Sequence, residues 1–158
     1  MMFMKNIYFL RGITMIRKAT NSDSRVLAEM AVQMWDDNTV NELETEFLKM
    51  LNDEQSAFFI KVVDEIPVGF EQCSLRTDYV EGTESSPVGY LEGIFVKEEY
   101  RKKGYAKELL YACEIWSKEI GCKEFASDCE LENLASFKFH MAMGFEEANR
   151  IICFRKML

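Results

Sequence analysis

Apolar positions recur along this chain with two different periods, and each change of period marks an element. Residues 15–18 read as a short first strand, and Ser22 is placed to cap a helix in which Val26, Leu27, Met30, Met34 and Trp35 fall at roughly helical spacing. A second helix is expected near residues 42–51. The run "AFFIKVV" (57–63) is strand-like, "DEIP" turns the chain, and "VGFEQCSLR" (68–76) returns as its hairpin partner. A long polar loop (77–87) then precedes "VGYLEGIFV" (88–96), a central strand. Polar loops on a rigid scaffold are where binding residues gather.

Beyond a basic stretch, Ala106, Leu109, Leu110, Cys113, Trp116 and Ile120 take one face of a helix, while Lys107, Glu108, Glu114, Lys118 and Glu119 take the other. Gly121 ends that helix and "KEFASDC" (123–129) resumes as a strand. Strand, helix and strand in such a span form a βαβ crossover, so these two strands run parallel. A further helix is expected over about 134–143, stopping at Gly144, and "IICFRKM" (151–157) is expected to close the sheet. The fold class is therefore α/β, a mixed sheet with a central parallel crossover.

Composition narrows the picture. With 158 residues, 48% of them hydrophobic, the chain supports one domain with a substantial core. A formal net charge of -8 argues against a nucleic-acid binder and suits a cationic substrate. Five cysteines without C-x-x-C pairing and a single histidine suggest neither a metal site nor a disulfide framework, and a reducing cytoplasm is the expected setting, with the cysteines as small core residues. The opening "MMFMKNIYFLRGIT" is too briefly apolar for a signal sequence, and no segment is long enough to span a membrane. Because regular patterning starts at "MIRKAT", Met15 is the expected functional start, with residues 1–14 a dispensable extension ahead of a single domain, 15–158.

Against the acidic background, Arg101, Lys102 and Lys103 stand in a row at the start of a helix, where the backbone dipole already presents positive charge. A strand feeding a glycine-containing loop and a helix start is an anion receptor in its own right. The pattern Arg101-x-x-Gly104-x-Ala106 fits neither G-x-x-x-x-G-K-[ST] nor G-x-G-x-x-G. A plain solvated charge run is the alternative on charge alone.

This stretch resembles the Gcn5-related N-acetyltransferase (GNAT) family, whose R/Q-x-x-G-x-G/A loop cradles the pyrophosphate of acetyl-coenzyme A. "YLEGIFV", "ASD", "EN", "MGFEE", Trp35 and "DYVEG" together are similar to the aminoglycoside 6'-N-acetyltransferases, from about Met15 to the C-terminus. The resemblance implies a splayed, mostly antiparallel sheet. It implies acetyl-coenzyme A as cosubstrate and no metal, an aminoglycoside partner, and a homodimer. For the cosubstrate it implies backbone contacts at Ile94 and Val96, the amides of Arg101, Lys102, Lys103, Gly104, Tyr105 and Ala106, and a contact from Asn133, a residue that equally suits the N-cap of the following helix.

Acyl transfer to an amine needs a carboxylate that binds the ammonium and helps remove its proton. Glu92 interrupts an apolar strand beside Gly93, where a bulge could aim it, and Asp128 ends the neighbouring parallel strand, where ligands collect in such sheets. An edge charge and a turn residue are their bland alternatives, and the resemblance favours both as acceptor-binding acids. It also implies aromatic acceptor contacts at Trp35, which core packing would equally explain, and at Tyr79. Asn149 stands where relatives often carry a glutamate, which leaves the antibiotic range open. His140 falls where the wider family has a tyrosine that protonates the departing thiolate; imidazole could serve as that acid, or be structural. The implied chemistry is direct attack within a ternary complex. The same fold acting on polyamines or protein amines, or a non-catalytic acyl-coenzyme A module, are the rival readings.

Overall fold

The computed structural model describes residues 13–158, and the extension expected over residues 1–14 falls almost wholly outside them. Five strands, β1 (Thr14–Lys18), β2 (Ser56–Val63), β3 (Ile66–Arg76), β4 (Val88–Val96) and β5 (Phe125–Ser127), lie side by side in sequence order. All neighbours are antiparallel except β4 and β5, which are parallel across the expected crossover. The hairpin joining β2 to β3 turns on Asp64 and Glu65, both at positive φ (48° and 68°), a handedness that matches the twist of the flanking strands.

Alternation along the strands divides the core between two faces. Phe58, Ile60 and Phe70 are fully buried against α1 (Ser24–Ala31) and α2 (Val40–Leu51), where Leu27, Met30 and Phe47 meet them. On the opposite face Ala57 and Cys73 pack on Cys113 and Trp116 of α3 (Tyr105–Glu119). The last helix, α4 (Leu134–Ala142), lies beyond β5.

Capping chemistry fixes where the first helices begin. Thr39 Oγ1 accepts from the Glu42 amide at 3.3 Å while the Thr39 amide donates to the Glu42 carboxylate at 2.8 Å. This reciprocal box starts α2 at Val40, ahead of the expected boundary. Thr20, rather than Ser22, opens the first helical segment: its amide donates to Asp23 at 2.8 Å, and a short 3-10 turn (Asn21–Asp23) leads into α1. Since α1 stops at Ala31, Met34 and Trp35 lie past its end instead of on it.

Two expected strands are corrected. The strand read over 123–129 shrinks to three residues, and residues 151–157 form no strand at all. Ile151, Ile152 and Phe154 there are 65%, 80% and 91% exposed. A β-branched run fits a pleated surface, but it becomes a strand only beside a partner, and the three residues of β5 provide little edge to build on. Cys73, Cys113 and Cys122 are buried as expected, whereas Cys129 and Cys153 are exposed.

Asp23 ties the end of β1 to the start of α1 through a two-pronged bond from Arg17, at 2.7 and 2.8 Å. That bond, with help from Thr20, holds the Asp23 carboxyl down at about 2 against the cost of its burial. A depressed carboxyl stabilises the fold above its unfolded pKa and loses that contribution as pH falls through the folded value. Asp23→Asn should therefore cost about 1 to 2 kcal/mol at pH 7 and almost nothing near pH 2, read as the shift in urea midpoint at the two pH values.

Candidate active site at the parting of β4 and β5

The cleft originates in a single extra residue. Gln72 of β3 faces Gly93 whereas the next residue, Cys73, faces Leu91, so Glu92 has no counterpart and forms a β-bulge. The bulge reverses which peptide groups look outward. Lys97 N–H donates to Val68 of β3 at 2.9 Å, and alternation from that bond turns the N–H groups of Ile94 and Val96 away from β3. At that outer edge β5 pairs with β4 only from Gly89 to Leu91, and from Glu92 onward the strands part. The peptide edge of Ile94 and Val96 thus faces an opening fit for an extended ligand. At its end Arg101 Nε donates to the Val96 carbonyl at 2.9 Å.

The loop that follows enters α3 with two left-handed residues, Lys102 (φ 60°) and Gly104 (φ 83°). A Cβ on Gly104 would meet nothing within 4 Å, so it is the backbone conformation that asks for glycine, and the space around it is open. The first helical bond runs from Glu108 N–H to the Gly104 carbonyl at 3.1 Å, so the amides of Tyr105, Ala106 and Lys107 have no intrahelical acceptor. Arg101, Lys102 and Lys103 are all exposed, and none of them makes an ion pair among the described residues. The arrangement can receive a polyanion.

Lys61 of β2, absent from the sequence-derived set, anchors this helix start. Only 1% exposed, its Nζ lies 2.6 Å from the Glu108 carboxylate and 4.5 Å from the centre of the Tyr105 ring. A lysine inside the apolar run "AFFIKVV" was the available signal.

Next to the bulge lies a charged corner. Glu92 accepts from Ser74 Oγ at 2.5 Å and from both ends of the Arg76 guanidinium at 2.9 to 3.2 Å. Arg76 in turn lies 3.3 Å above the Tyr90 ring. Burial pushes the Tyr90 phenol up to about 12; the negative charge of Asp128 adds to the shift and the Arg76 guanidinium opposes it. Glu92 and Asp128 thus both lie close enough to Tyr90 to act on its phenol. Ser74, Arg76 and Tyr90 were not anticipated, although Arg76 and Tyr90 lie at strand positions that share a face with Glu92.

Trp35 is half-buried, edge-on to Phe47 at 6.3 Å and to Phe70 at 6.5 Å. A Cβ on Gly93 would fall 2.7 Å from its ring, so the missing side chain lets the indole lie on the strand beside Glu92. Trp35 is thus a core residue at the rim of the charged corner. Tyr79 is 80% exposed and donates to Glu81 at 3.0 Å. The Asn149 amide donates to the other Glu81 oxygen at 2.9 Å, and these bonds, Asn149 first, hold the Glu81 carboxyl below its usual range. A carboxylate thus stands next to Asn149 after all. Neighbouring Val80 is buried on Val88 and Tyr90, which fixes the loop against the same corner.

His140 is not an open imidazole. Its Nδ1 lies 2.7 Å from the Ser136 carbonyl and its Nε2 lies 2.9 Å from Ser127 Oγ. Asn133 caps α4, its side-chain oxygen accepting from the Ser136 amide at 3.0 Å, so only its NH2 end is left to meet a ligand.

The Lys61–Glu108 pair carries an asymmetric prediction. Glu108 is half-exposed while Lys61 is buried, so Glu108→Ala strands a buried ammonium and should cost about 3 kcal/mol. Lys61→Met leaves a hydrated carboxylate and should cost less than about 1 kcal/mol, both read from chemical denaturation.

Comparison with known proteins places this geometry. Residues 25–145 match the acetyltransferase (GNAT) family model. The chain is 39% identical over 144 residues, 90% of it and 93% of the relative, to an aminoglycoside N(6')-acetyltransferase type 1 from Stenotrophomonas maltophilia. Among solved structures, the aminoglycoside N-acetyltransferase AAC(6')-Iy in complex with CoA superposes with a TM-score of 0.90 at 37% identity, covering 93% of this chain and 97% of that one. The same enzyme with the bisubstrate analogue CoA-S-monomethyl-acetylneamine gives 0.88 at 37% identity, covering 92% and 99%. With the bulged strand, the parted sheet and the loop at Gly104 all in place, the chain belongs to the acetyltransferase (GNAT) family, alongside the aminoglycoside 6'-N-acetyltransferases.

Proposed function

We propose that the protein transfers the acetyl group of acetyl-coenzyme A to the 6'-amine of aminoglycoside antibiotics and so confers resistance. One observation carries the reading: an outward peptide edge and an exposed cationic loop converge on a bulge whose extra residue is a carboxylate. The names and bound ligands of the relatives support the same chemistry, with coenzyme A in one neighbour and an analogue joining it to an amino sugar in another.

In this reading the diphosphate rests on the amides of Arg101 to Ala106, with Lys102 and Lys103 adding charge, and the pantetheine arm hydrogen-bonds to Ile94 and Val96. Asn133 adds a contact through its NH2 group. The arm ends at the bulge, beside Glu92. Glu92 is held by Arg76 until a cationic amino sugar competes for it, and together with Asp128 it binds the ammonium and takes up its proton, directly or through water. The freed amine attacks the thioester carbonyl, whose developing oxyanion is met by strand amides. Tyr79, Trp35 and Asn149 border the acceptor. Glu81 restores beside Asn149 a negative charge that suits a polycationic sugar.

The protein acts as a homodimer in a reducing cytoplasm. The exposed Ile151, Ile152 and Phe154 supply an apolar surface for a second copy, and the five cysteines are free thiols. No described helix is long and apolar enough to cross a membrane.

Thiol release from acetyl-coenzyme A decides the substrate class. Release should rise at least about 100-fold on adding a kanamycin-class sugar, and spermidine or lysine peptides should be poor acceptors. Strong turnover only on the latter two would reassign the substrate; binding of coenzyme A without any turnover would favour a sensing module. Glu92→Gln should raise the acceptor KM at least about tenfold while the coenzyme A dissociation constant stays within about twofold.

A further inference from the structure

We infer that Ser127 is a catalytic residue that gives its hydroxyl proton to the departing coenzyme A sulfur, and that His140 resupplies that proton through it. The inference rests on the acetyl-transfer reading and assigns it a residue not yet given a role. Ser127 is the last residue of β5 that still pairs with β4, opposite Leu91 and one residue before the bulge. Its hydroxyl therefore stands at the vertex of the opening, where the thioester would meet the acceptor. Its neighbours are His140 Nε2 at 2.9 Å, the Leu91 carbonyl at 3.2 Å and the Asp128 carbonyl at 3.4 Å.

Hydrogen-bond chemistry fixes the protons. A carbonyl only accepts, so Nδ1, 2.7 Å from the Ser136 carbonyl, carries a hydrogen. In the neutral ring Nε2 is then bare and accepts from Ser127. In the imidazolium Nε2–H donates to Ser127 Oγ, and the hydroxyl hydrogen is free to turn to the Leu91 carbonyl or into the opening. Both states are satisfied, so the pair can pass between them without stranding a polar group. The edges and faces of the imidazole meet Phe139 and Phe145, with ring centres 5.8 and 5.0 Å away. The charge of the neighbouring Asp128 carboxylate bears on Tyr90. Nε2 is thus bonded to Ser127, and that hydroxyl gives the ring a route to the cleft.

As the tetrahedral intermediate collapses, the C–S bond breaks and its electron pair stays on sulfur. Sulfur takes the hydrogen of Ser127 Oγ, and Oγ takes the hydrogen of His140 Nε2, which leaves a neutral ring protonated at Nδ1. The proton lost by the amine leaves through Glu92 and Asp128, and solvent recharges His140 between turnovers. Ser127 touches the reacting sulfur, while His140 acts only through Ser127 as the proton source that positions it.

The experiment compares wild type, Ser127→Ala, Ser127→Thr and His140→Gln by kcat from about pH 6 to 10, with coenzyme A affinity measured by calorimetry. Ser127→Ala should lower kcat about 100-fold with coenzyme A affinity within about twofold, and Ser127→Thr, which keeps the hydroxyl, should recover most of it. His140→Gln keeps a hydrogen-bonding amide but no transferable proton, so the alkaline fall of kcat should disappear. Because the chain has one histidine, the 15N spectrum of untagged protein reports this ring alone, and the neutral form should carry its proton on Nδ1. A Ser127→Ala kcat within about threefold of wild type, an alkaline fall that survives in His140→Gln, or a neutral ring protonated on Nε2 would each overturn the relay. Wild type that turns over no aminoglycoside would instead overturn the substrate reading; the ring tautomer still tests the relay then.

Discussion

The site depends on one backbone irregularity, the unmatched Glu92 in β4. In a regular ladder, successive residues alternate between pairing inward with β3 and outward with β5, and both edges of β4 would be consumed. One added residue shifts that alternation, so that Ile94 and Val96 present their amides outward at the point where β5 leaves. The same residue carries a carboxylate to the place where those amides begin. Binding edge and acid thus come from a single local event, and moving the bulge by one residue would separate them.

Electrostatics follow from this geometry. The chain is acidic overall, yet its cationic run is exposed and makes no ion pair among the described residues at the α3 start, where helix amides also favour an anion. Lys61 holds that start from beneath through Glu108, which ties the helix start to β2. On the far side of the bulge the sign reverses: Glu92 is paired with Arg76, the charge of Asp128 bears on Tyr90, and Glu81 stands on the adjoining loop beside Asn149. Such a division of charge suits a reaction between an anionic donor and a cationic acceptor.

Much of this was readable from sequence because it depends on short-range chemistry. Period two and period 3.6 located β2, β3, β4 and α3, and Gly93 beside a lone acid correctly marked the bulge. The Thr-x-x-Glu box at Thr39 was overlooked in the sequence, and the helix was begun two residues late. Features that depend on distant partners were not legible there. In the sequence Lys61 and Arg76 are single cations within two strands; only the fold brings Glu108 above the first and closes Tyr90 and Glu92 around the second. Residues 151–157 have the composition of a strand without the neighbour that would make them one. His140 was left between a general acid and a structural residue, and only the fold shows its two nitrogens bonded, one to Ser136 and one to Ser127.

Amide hydrogen exchange on β4, with and without coenzyme A, tests the outward edge most directly. The amides of Ile94 and Val96 should exchange quickly in the free protein and gain protection when coenzyme A binds, while those of Phe95 and Lys97, committed to β3, stay protected throughout. Equal protection of all four in the free protein, or coenzyme A binding that leaves Ile94 and Val96 unchanged, would contradict a ligand edge created by the bulge.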